Sequence, residues 1–396
     1  QLLLGQVQDA AGHREVLLGV PHVHPLPVLP LEKRPVPDPR IDRCKHHKLI
    51  DIISIAICAV LSSADGWTDI EAYGHAKHAL LEQFLELPAG IPSHDTFARV
   101  FARLNPTAFQ SAFLAWVDTI RAKLPGDVIA IDGKTERRTH DRAIDLSPLH
   151  IVSAFSAANH LVLGQVRVNS KSNEITAIPE LLKALYINGL LVSIDAMGCQ
   201  KSFARQITDQ GGDYLLAVKD NQPTLLEAIK TEFIDQYQSE AVDRNRQVLA
   251  SHGRVVGQIA SVLPAAGVVN LADWPKCEAI GLVDSLRTVG DKESDLERRY
   301  YISSRELTAE HLAKAVRAHW GIENRLHWVL DVSFGEDAST VRKDNDPQNC
   351  SLLKKIVLNL LRLDTTDKTK CSLRMKRKAM AWSDEERIRV LGLEFI

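Results

Sequence analysis

Two apolar runs in the chain each lead into an aspartate. Val128-Ile129-Ala130-Ile131 is followed by Asp132-Gly133, and Leu190–Ile194 by Asp195. Buried strands seldom finish on a charge unless the carboxylate faces a cleft where it is solvated or holds a cation, although aspartate at a strand end is also an ordinary turn or cap residue. Two such aspartates on core strands of one unit shift the balance toward chemistry. A third acid comes from the run Arg317–Asp331, where His319, Glu323, His327 and Asp331 recur at every fourth position and so share one helix face. The stripe reads either as a solvated face or as a working one. Trp320, Ile322, Leu326, Trp328 and Leu330 beside it indicate a helix packed into a core, where charges need partners or a metal.

Asp132, Asp195 and Glu323 together are the donor set that a hard divalent cation takes, Mg²⁺ or Mn²⁺, with water and substrate phosphate completing the shell. Thiolates and imidazoles favour softer metals. Two such ions can activate a water or a DNA 3′-hydroxyl and stabilise the leaving oxygen of an in-line phosphoryl displacement.

The elements that must position these acids follow from texture. A helical stretch begins after Asp38: Leu49–Leu61, Trp67–Leu87, Phe97–Leu104 behind a Ser93 cap, and Ala108–Leu124, ending at the turn signal Pro125-Gly126. Strand texture follows, with Val128–Asp132, a hairpin His150–Ala157 and Leu161–Asn169, Leu190–Asp195 and Tyr214–Lys219, interleaved with helices Ile178–Leu185, Lys201–Gln210 and Pro223–Tyr237. Arg254–Leu263, Ala279–Val289 and Arg299–Ser303 are strand-rich without a helix, and helix returns at Thr308–Leu330 and Gln348–Leu363. The division is therefore residues 1–35 as a proline-broken, disordered leader, 36–126 helical, 127–240 mixed α/β, 241–305 a β-rich insertion, 306–364 helical and 365–396 a basic tail.

Bulk properties exclude several classes. With 396 residues, 45% hydrophobic and 25% charged, the chain can bury a sizeable core. The longest apolar run, Leu49–Leu61, is too short to cross a membrane and carries Asp51. The six cysteines are scattered with no metal-ligand spacing, which reads as free thiols in a reducing compartment. No signal-peptide pattern is present, so a cytoplasmic protein is expected. Net charge is −2, but Lys368–Lys378 holds six basic residues and no acid, and Arg40, Arg43, Lys45, His46, His47 and Lys48 form a second cluster. Each cluster suits phosphate contact or, equally, a solvated surface.

Longer motifs carry a resemblance. Asp38-Pro39-Arg40 continuing to His47-Lys48-Leu49, Ile91–Phe97 (IPSHDTF), Ile131–Thr135 (IDGKT), Lys171–Pro179 (KSNEITAIP), Ile194–Gln200 (IDAMGCQ), Lys219–Gln222 (KDNQ), His252-Gly253-Arg254, Arg299–Ser304 (RYYISS) and His319–Asp337 follow one another collinearly over roughly residues 36–390. In these residues the chain resembles the H-repeat-associated transposases of bacterial insertion sequences, which are DDE transposases. The resemblance implies an RNase H-like core, a mixed five-stranded sheet with helices, interrupted by a β-rich insertion and preceded by a helical DNA-binding domain. It implies metal-dependent cleavage and strand transfer on double-stranded DNA, at the element's terminal repeats and in target DNA, by a homodimer in the bacterial cytoplasm, at the nucleoid. Asp132, Asp195 and Glu323 would be the metal triad with two Mg²⁺ or Mn²⁺ ions, and Asp331 the competing third acid. Lys134, Lys219, Asn221, Gln222, Arg317, Asn324 and His327 would position DNA or the triad. The chain departs from the family after Thr135, where Glu136-Arg137-Arg138-Thr139 replaces the usual Leu-Arg-Gly-Ser, and after Arg254, where an acid and a further Arg are usual. Leu330 also stands where many DDE transposases carry a basic residue. A decayed copy that only binds DNA, a nuclease of the same fold and a phosphohydrolase of small substrates are the alternatives.

Overall fold

Parallel pairing of two short apolar strands organises the molecule, and a computed structural model shows what is built on it. The structure describes residues 36–121, 128–140, 147–168, 173–251, 254–270, 272–289, 292–364 and 371–393. The leader, the Pro125-Gly126 turn, Lys171-Ser172, His252-Gly253 and Lys368–Lys370 lie outside them.

The strands are β1 (Val128–Glu136), β2 (Leu149–Ser156), β3 (Leu161–Val168), β4 (Leu191–Ile194), β5 (Asp213–Val218), β6 (Asp243–Ser251), β7 (Arg254–Pro264), β8 (Ala279–Val289), β9 (Lys292–Glu293) and β10 (Glu297–Ser303). They form one ten-stranded sheet in the order β3-β2-β1-β4-β5-β10-β8-β7-β6, with β9 on β8. Hence the sheet is mixed, as expected, but it is not five-stranded. The strand-rich stretch does not leave it as a separate layer, because β10 pairs antiparallel with β5 and carries β8, β7 and β6 outward. β1, β4 and β5 are parallel, while β2 runs against both of its neighbours. The β2–β3 hairpin turns at His160, whose φ of 58° is the left-handed conformation a tight turn demands.

β1 does not stop at the aspartate. It pairs with β4 only from Val128 to Ile131, then continues beside β2 to Glu136. β4 ends at Ile194. Asp132 and Asp195 are therefore the first residues past the last shared pair, at a notch where β1 loses one neighbour.

The helices are α1 (Leu49–Leu61), α2 (Trp67–Ala76), α3 (His78–Leu81), α4 (His94–Arg103), α5 (Pro106–Arg121), α6 (Glu174–Ala184), α7 (Lys201–Asp209), α8 (Pro223–Asp235), α9 (Ala309–Ile322), α10 (Trp328–Phe334), α11 (Asp346–Leu363), α12 (Leu373–Trp382) and α13 (Asp384–Val390). The helix expected over Trp67–Leu87 is broken at Lys77 into α2 and α3. One apolar cluster joins α1, α4, α5, the sheet, α11, α12 and α13, so the N-terminal helices and the sheet share a core. Buried α11 lies at its centre and uses polar groups to fasten its neighbours. Asn359 accepts from Val162 N and donates to Val162 O, both at 2.8 Å, replacing the strand partner that edge strand β3 lacks. Asn349 donates to the carbonyls of Phe101 and Leu104 at the end of α4.

The basic stretch near the C-terminus is not a free tail. Arg377 is 4% exposed, donates to Val60 O at the end of α1 and to Ser333 O at the end of α10, and lies over the Phe334 ring. A guanidinium at two helix C-termini satisfies carbonyls that the helices leave open.

A buried ion network fastens α11 to β1. Lys134 Nζ reaches Glu336 Oε2 at 2.6 Å, Ser351 Oγ donates to Glu336 Oε1 at 3.0 Å, and Lys355 Nζ contacts Ser351 Oγ and Gln165 Oε1. Burial alone would raise Glu336; Lys134, Lys355 and Lys354 outweigh it and hold the carboxyl low, at about 2. Glu136 nearby is pushed up to about 8, first by burial and then by Glu336. Lys355→Met leaves Glu336 short of a cation in the interior, and removing one partner of a buried pair costs about 3–5 kcal/mol. Urea unfolding at pH 7 should show that loss. Stability equal to the parent would mean that Lys134 alone neutralises Glu336.

Candidate active site

The notch assembles its acids from three directions. Asp132 projects from β1 on the same sheet face as Lys134 and Glu136, because side chains alternate along a strand. Asp195 follows β4 and caps the short turn Ala196–Gly198, its Oδ1 accepting from Met197 N at 3.1 Å and Gly198 N at 3.4 Å. The turn needs glycine at Gly198, where a Cβ would collide with the Ile194 side chain. Glu323 opens a π-helical turn, Glu323–His327, between α9 and α10.

That turn overturns the expected straight stripe. A π-turn holds an extra residue, so groups beyond it rotate away from those before it. His319 is buried, Glu323 is exposed, and Asp331 is paired with Lys134, which also holds Glu336. His327 alone of the later residues turns to the notch, with Nδ1 3.7 Å from Asp132 Oδ2. Burial, then Lys355 and Lys134, push His327 down to about 3, so the ring is neutral at physiological pH. The contact is thus a neutral imidazole beside a carboxyl and not an ion pair.

Electrostatics single out Asp132. Burial, followed by Glu174, Asp195 and Glu323, pushes its carboxyl up to about 7 against an opposing hydrogen bond from Gly133. Asp195 is raised too, by burial and then Glu174, with Gly198, Met197 and Lys219 working against the rise. Groups of one sign out of water disfavour each other's ionised form, and a cation between them reverses the effect. As placed, no three His, Cys, Asp or Glu side chains among the described residues close on one point as ligands do. The chemistry of the donor set nevertheless fits a hard divalent ion: carboxylates, mutually repelling, with a neutral imidazole behind them.

The remaining candidates fall into distinct roles. Asn221 Nδ2 donates to Ala196 O at 2.7 Å and Gln222 Nε2 to Cys199 O at 2.9 Å, so both hold the turn that carries Asp195. Lys219 shares a slot of about 60 Å³ with Asp195, Arg299 and His319. Arg317 and Asn324 line a groove of about 970 Å³ along α9, with Arg305, Lys314 and Arg325, and Arg317 also donates to Gln247 at 2.6 Å. Lys134 belongs to the buried network instead. Of the N-terminal basic cluster, Arg40 is bound to Asp38 and His47 O, and Lys45 and Lys48 pair with Asp42 and Glu86.

Sequence reasoning passed over Glu174 and His150. Glu174 is the first residue of α6 behind the Asn173 cap, where an acid is ordinary because it meets the positive end of the helix. Its proximity to Asp132 could be read only from the folded chain.

A family model described as "Transposase DDE domain" matches residues 123–360, and one described as "DDE_Tnp_1-associated" matches residues 34–117. The chain is 40% identical over 351 residues to the "H repeat-associated putative transposase YhhI" of Escherichia coli strain K12, covering 87% of this chain and 93% of the relative. It is 41% identical over 352 residues to the "Putative transposase YncI" of Escherichia coli O157:H7, covering 87% and 90%. A cryo-EM structure of the piggyBac transposase synaptic complex with hairpin DNA aligns over 89% of this chain and 75% of that one at a TM-score of 0.41 and 10% identity, too distant to inform the fold.

The raised Asp132 carboxyl has a thermodynamic signature. The folded state binds its proton more tightly than the unfolded chain between about pH 4 and 7, so stability falls as pH rises through that window and stays lower above it. Three units correspond to at most about 4 kcal/mol, less with the side chain 23% exposed. Asp132→Asn should therefore melt higher than the parent at pH 8 without divalent ions and at the same temperature at pH 4. Millimolar Mn²⁺ should raise the parent's melting temperature at pH 8 and not the variant's. Identical pH profiles would remove the repulsion from the account.

Proposed function

The chain belongs to the transposase DDE-domain family, and from that premise we propose that it cuts and joins DNA strands at the ends of its own mobile element, using divalent cations held by Asp132, Asp195 and Glu323. The observation that carries this reading is the crowding of carboxylates around Asp132 where β1 and β4 part. In this reading β1 to β5, with β2 running against its neighbours, are an RNase H-like core, residues 241–305 are the insertion that widens its sheet, and residues 36–126 contribute to DNA binding. Double-stranded DNA, the terminal repeats and then the target, is the substrate. A homodimer pairs the two ends, in a bacterial cytoplasm at the nucleoid. Among the described residues no helix is long and apolar enough to cross a membrane.

Mg²⁺ or Mn²⁺ bound there would supply the Lewis acidity that activates a water or a 3′-hydroxyl and stabilises the leaving oxygen. The chain's own residues prepare the place. Asp132 and Asp195 sit on rigid sheet ends, and Asn221 and Gln222 fix the turn behind Asp195. His327 stays neutral beside Asp132, so it neither competes for the carboxylate as a cation nor adds repulsion to an incoming metal. Lys219 offers positive charge next to Asp195, and the basic groove along α9 suits a phosphate backbone. The pairing of Asp331 with Lys134 favours Glu323 as the third acid.

A decayed copy that retains only its grip on DNA is the second reading, and it draws on the departure after Thr135. Glu136, where the resembling family carries leucine, is buried and its carboxyl is pushed up to about 8 by burial and Glu336 against Lys354 and Lys355, so it is largely protonated and uncharged near neutral pH.

The test is cleavage of DNA carrying the flanking element ends in Mg²⁺ or Mn²⁺. Asp195→Asn and Glu323→Gln should each lower cleavage by at least about a hundredfold, roughly 3 kcal/mol of barrier, while binding to the ends persists. Asp331→Asn should keep cleavage within a few-fold and lose stability instead. Loss of cleavage in Asp331→Asn with retention in Glu323→Gln would exchange the two roles, and binding without cleavage in the parent would favour the decayed copy.

A further inference from the structure

Glu174 approaches the notch from the sheet face opposite to Asp132. Gly133, Thr135 and His150 share that face: Gly133 and Thr135 are two apart on β1, and Thr135 pairs in register with His150 of β2. A Cβ at Gly133 would collide with the Glu174 carboxylate and lie 2.7 Å from His150 Nε2. The glycine after Asp132 is therefore what lets this acid lie against the backbone of β1. The carboxylate is held there. His150 Nε2 is 2.8 Å from Glu174 Oε1, and Thr135 Oγ1 is 2.7 Å from His150 Nδ1. A ring that donates through Nε2 to a carboxylate takes the hydroxyl proton of Thr135 at Nδ1, so the three side chains lock one another's orientation.

Among the described residues an acid so placed has His150 as its hydrogen-bond partner, with Thr135 behind that, and pairs with no lysine or arginine. Holding a carboxylate against two others by a wedged imidazole costs free energy unless something positive is shared among them. At the notch β1 has no neighbour on the β4 side, since β4 stops at Ile194 and its pairing with β1 ends at Ile131.

We propose that Glu174 is a fourth carboxylate of the cation site, reaching the bound metal from the α6 face, with His150 as the residue that positions it. The proposal rests on the reading of the notch as a cation site. Its consequence is a clamp with Asp132 and Glu323 on one side of the sheet, Glu174 on the other and Asp195 between.

The experiment uses the full chain and Mn²⁺ alone as the probe, with free Mn²⁺ counted by its electron paramagnetic resonance signal and the metal-free melting temperature recorded in parallel. Glu174→Gln keeps size and hydrogen-bonding capacity but removes the charge. It should weaken Mn²⁺ binding about tenfold or more, the range seen when groups around a metal are changed. It should leave the metal-free melting temperature unchanged or higher, because a repelling charge has gone. His150→Gln should weaken binding in the same direction by a smaller factor, and it serves alone if Glu174→Gln does not fold. A purely structural Glu174 would give the reverse pattern, a lower melting temperature with Mn²⁺ affinity within twofold of the parent, and would overturn the proposal. Asp132→Asn separates the two levels. If it abolishes binding while the Glu174 and His150 variants match the parent, only the fourth acid fails; if it too binds like the parent, the cation site itself fails.

Discussion

Carboxylates brought together in a partly desolvated notch repel one another, and the sheet around them is rigid enough to hold them there. Asp132 bears the repulsion most directly, half-buried on β1 with Glu174, Asp195 and Glu323 close enough to raise its proton affinity. Such a cluster survives folding only if rigid elements hold it. The parallel pairing of β1 with β4 is such an element, because it fixes two of the acids at adjacent strand positions whatever their charge prefers. The sheet supplies the stiffness and the end of β4 supplies the space.

Directly behind the acids, charge of the other sign is sequestered. Lys134 and Lys355 could neutralise Asp132, yet they are taken up by Glu336, Asp331, Ser351 and Gln165. Alternation along β1 turns Lys134 and Asp132 to the same face, but Lys134 is held by Glu336 and Asp331. The buried network thus occupies both lysines while fastening α11 to the sheet. The same economy explains Arg377, whose guanidinium serves the ends of α1 and α10 and is withdrawn from the surface.

Several parts of this were legible in the residues. The apolar runs before Asp132 and Asp195 read as strands, α1 was bounded correctly by its own periodicity, and the β2–β3 hairpin followed from its turn residues. The motif order carried the family. Other parts were not legible, for identifiable reasons. Whether a strand stops at an aspartate depends on its neighbours, and β1 continues because β2 accompanies it to Glu136. The strand-rich stretch read as strands, which it is; that β10 docks on β5 is long-range pairing with no local signal. The fourfold spacing of His319, Glu323, His327 and Asp331 promised one face, but a π-turn has no composition that would have warned of it. The C-terminal basic stretch suited phosphate contact or a solvated surface, and within it Arg377 is instead buried under the ends of two helices.

What the sequence by itself determined is the family: acids on apolar strands and a helix, set among motifs in a familiar order. Periodicity and residue type are local properties, and they suffice for that. Tertiary structure decided which acids meet. It bound Asp331 to Lys134, left Glu323 without such a partner among the described residues, and laid Glu174 against the backbone at Gly133. These outcomes hinge on contacts between residues tens to hundreds of positions apart, where the free energy of burial and of charge pairing is set by the surroundings and not by the neighbours in the chain.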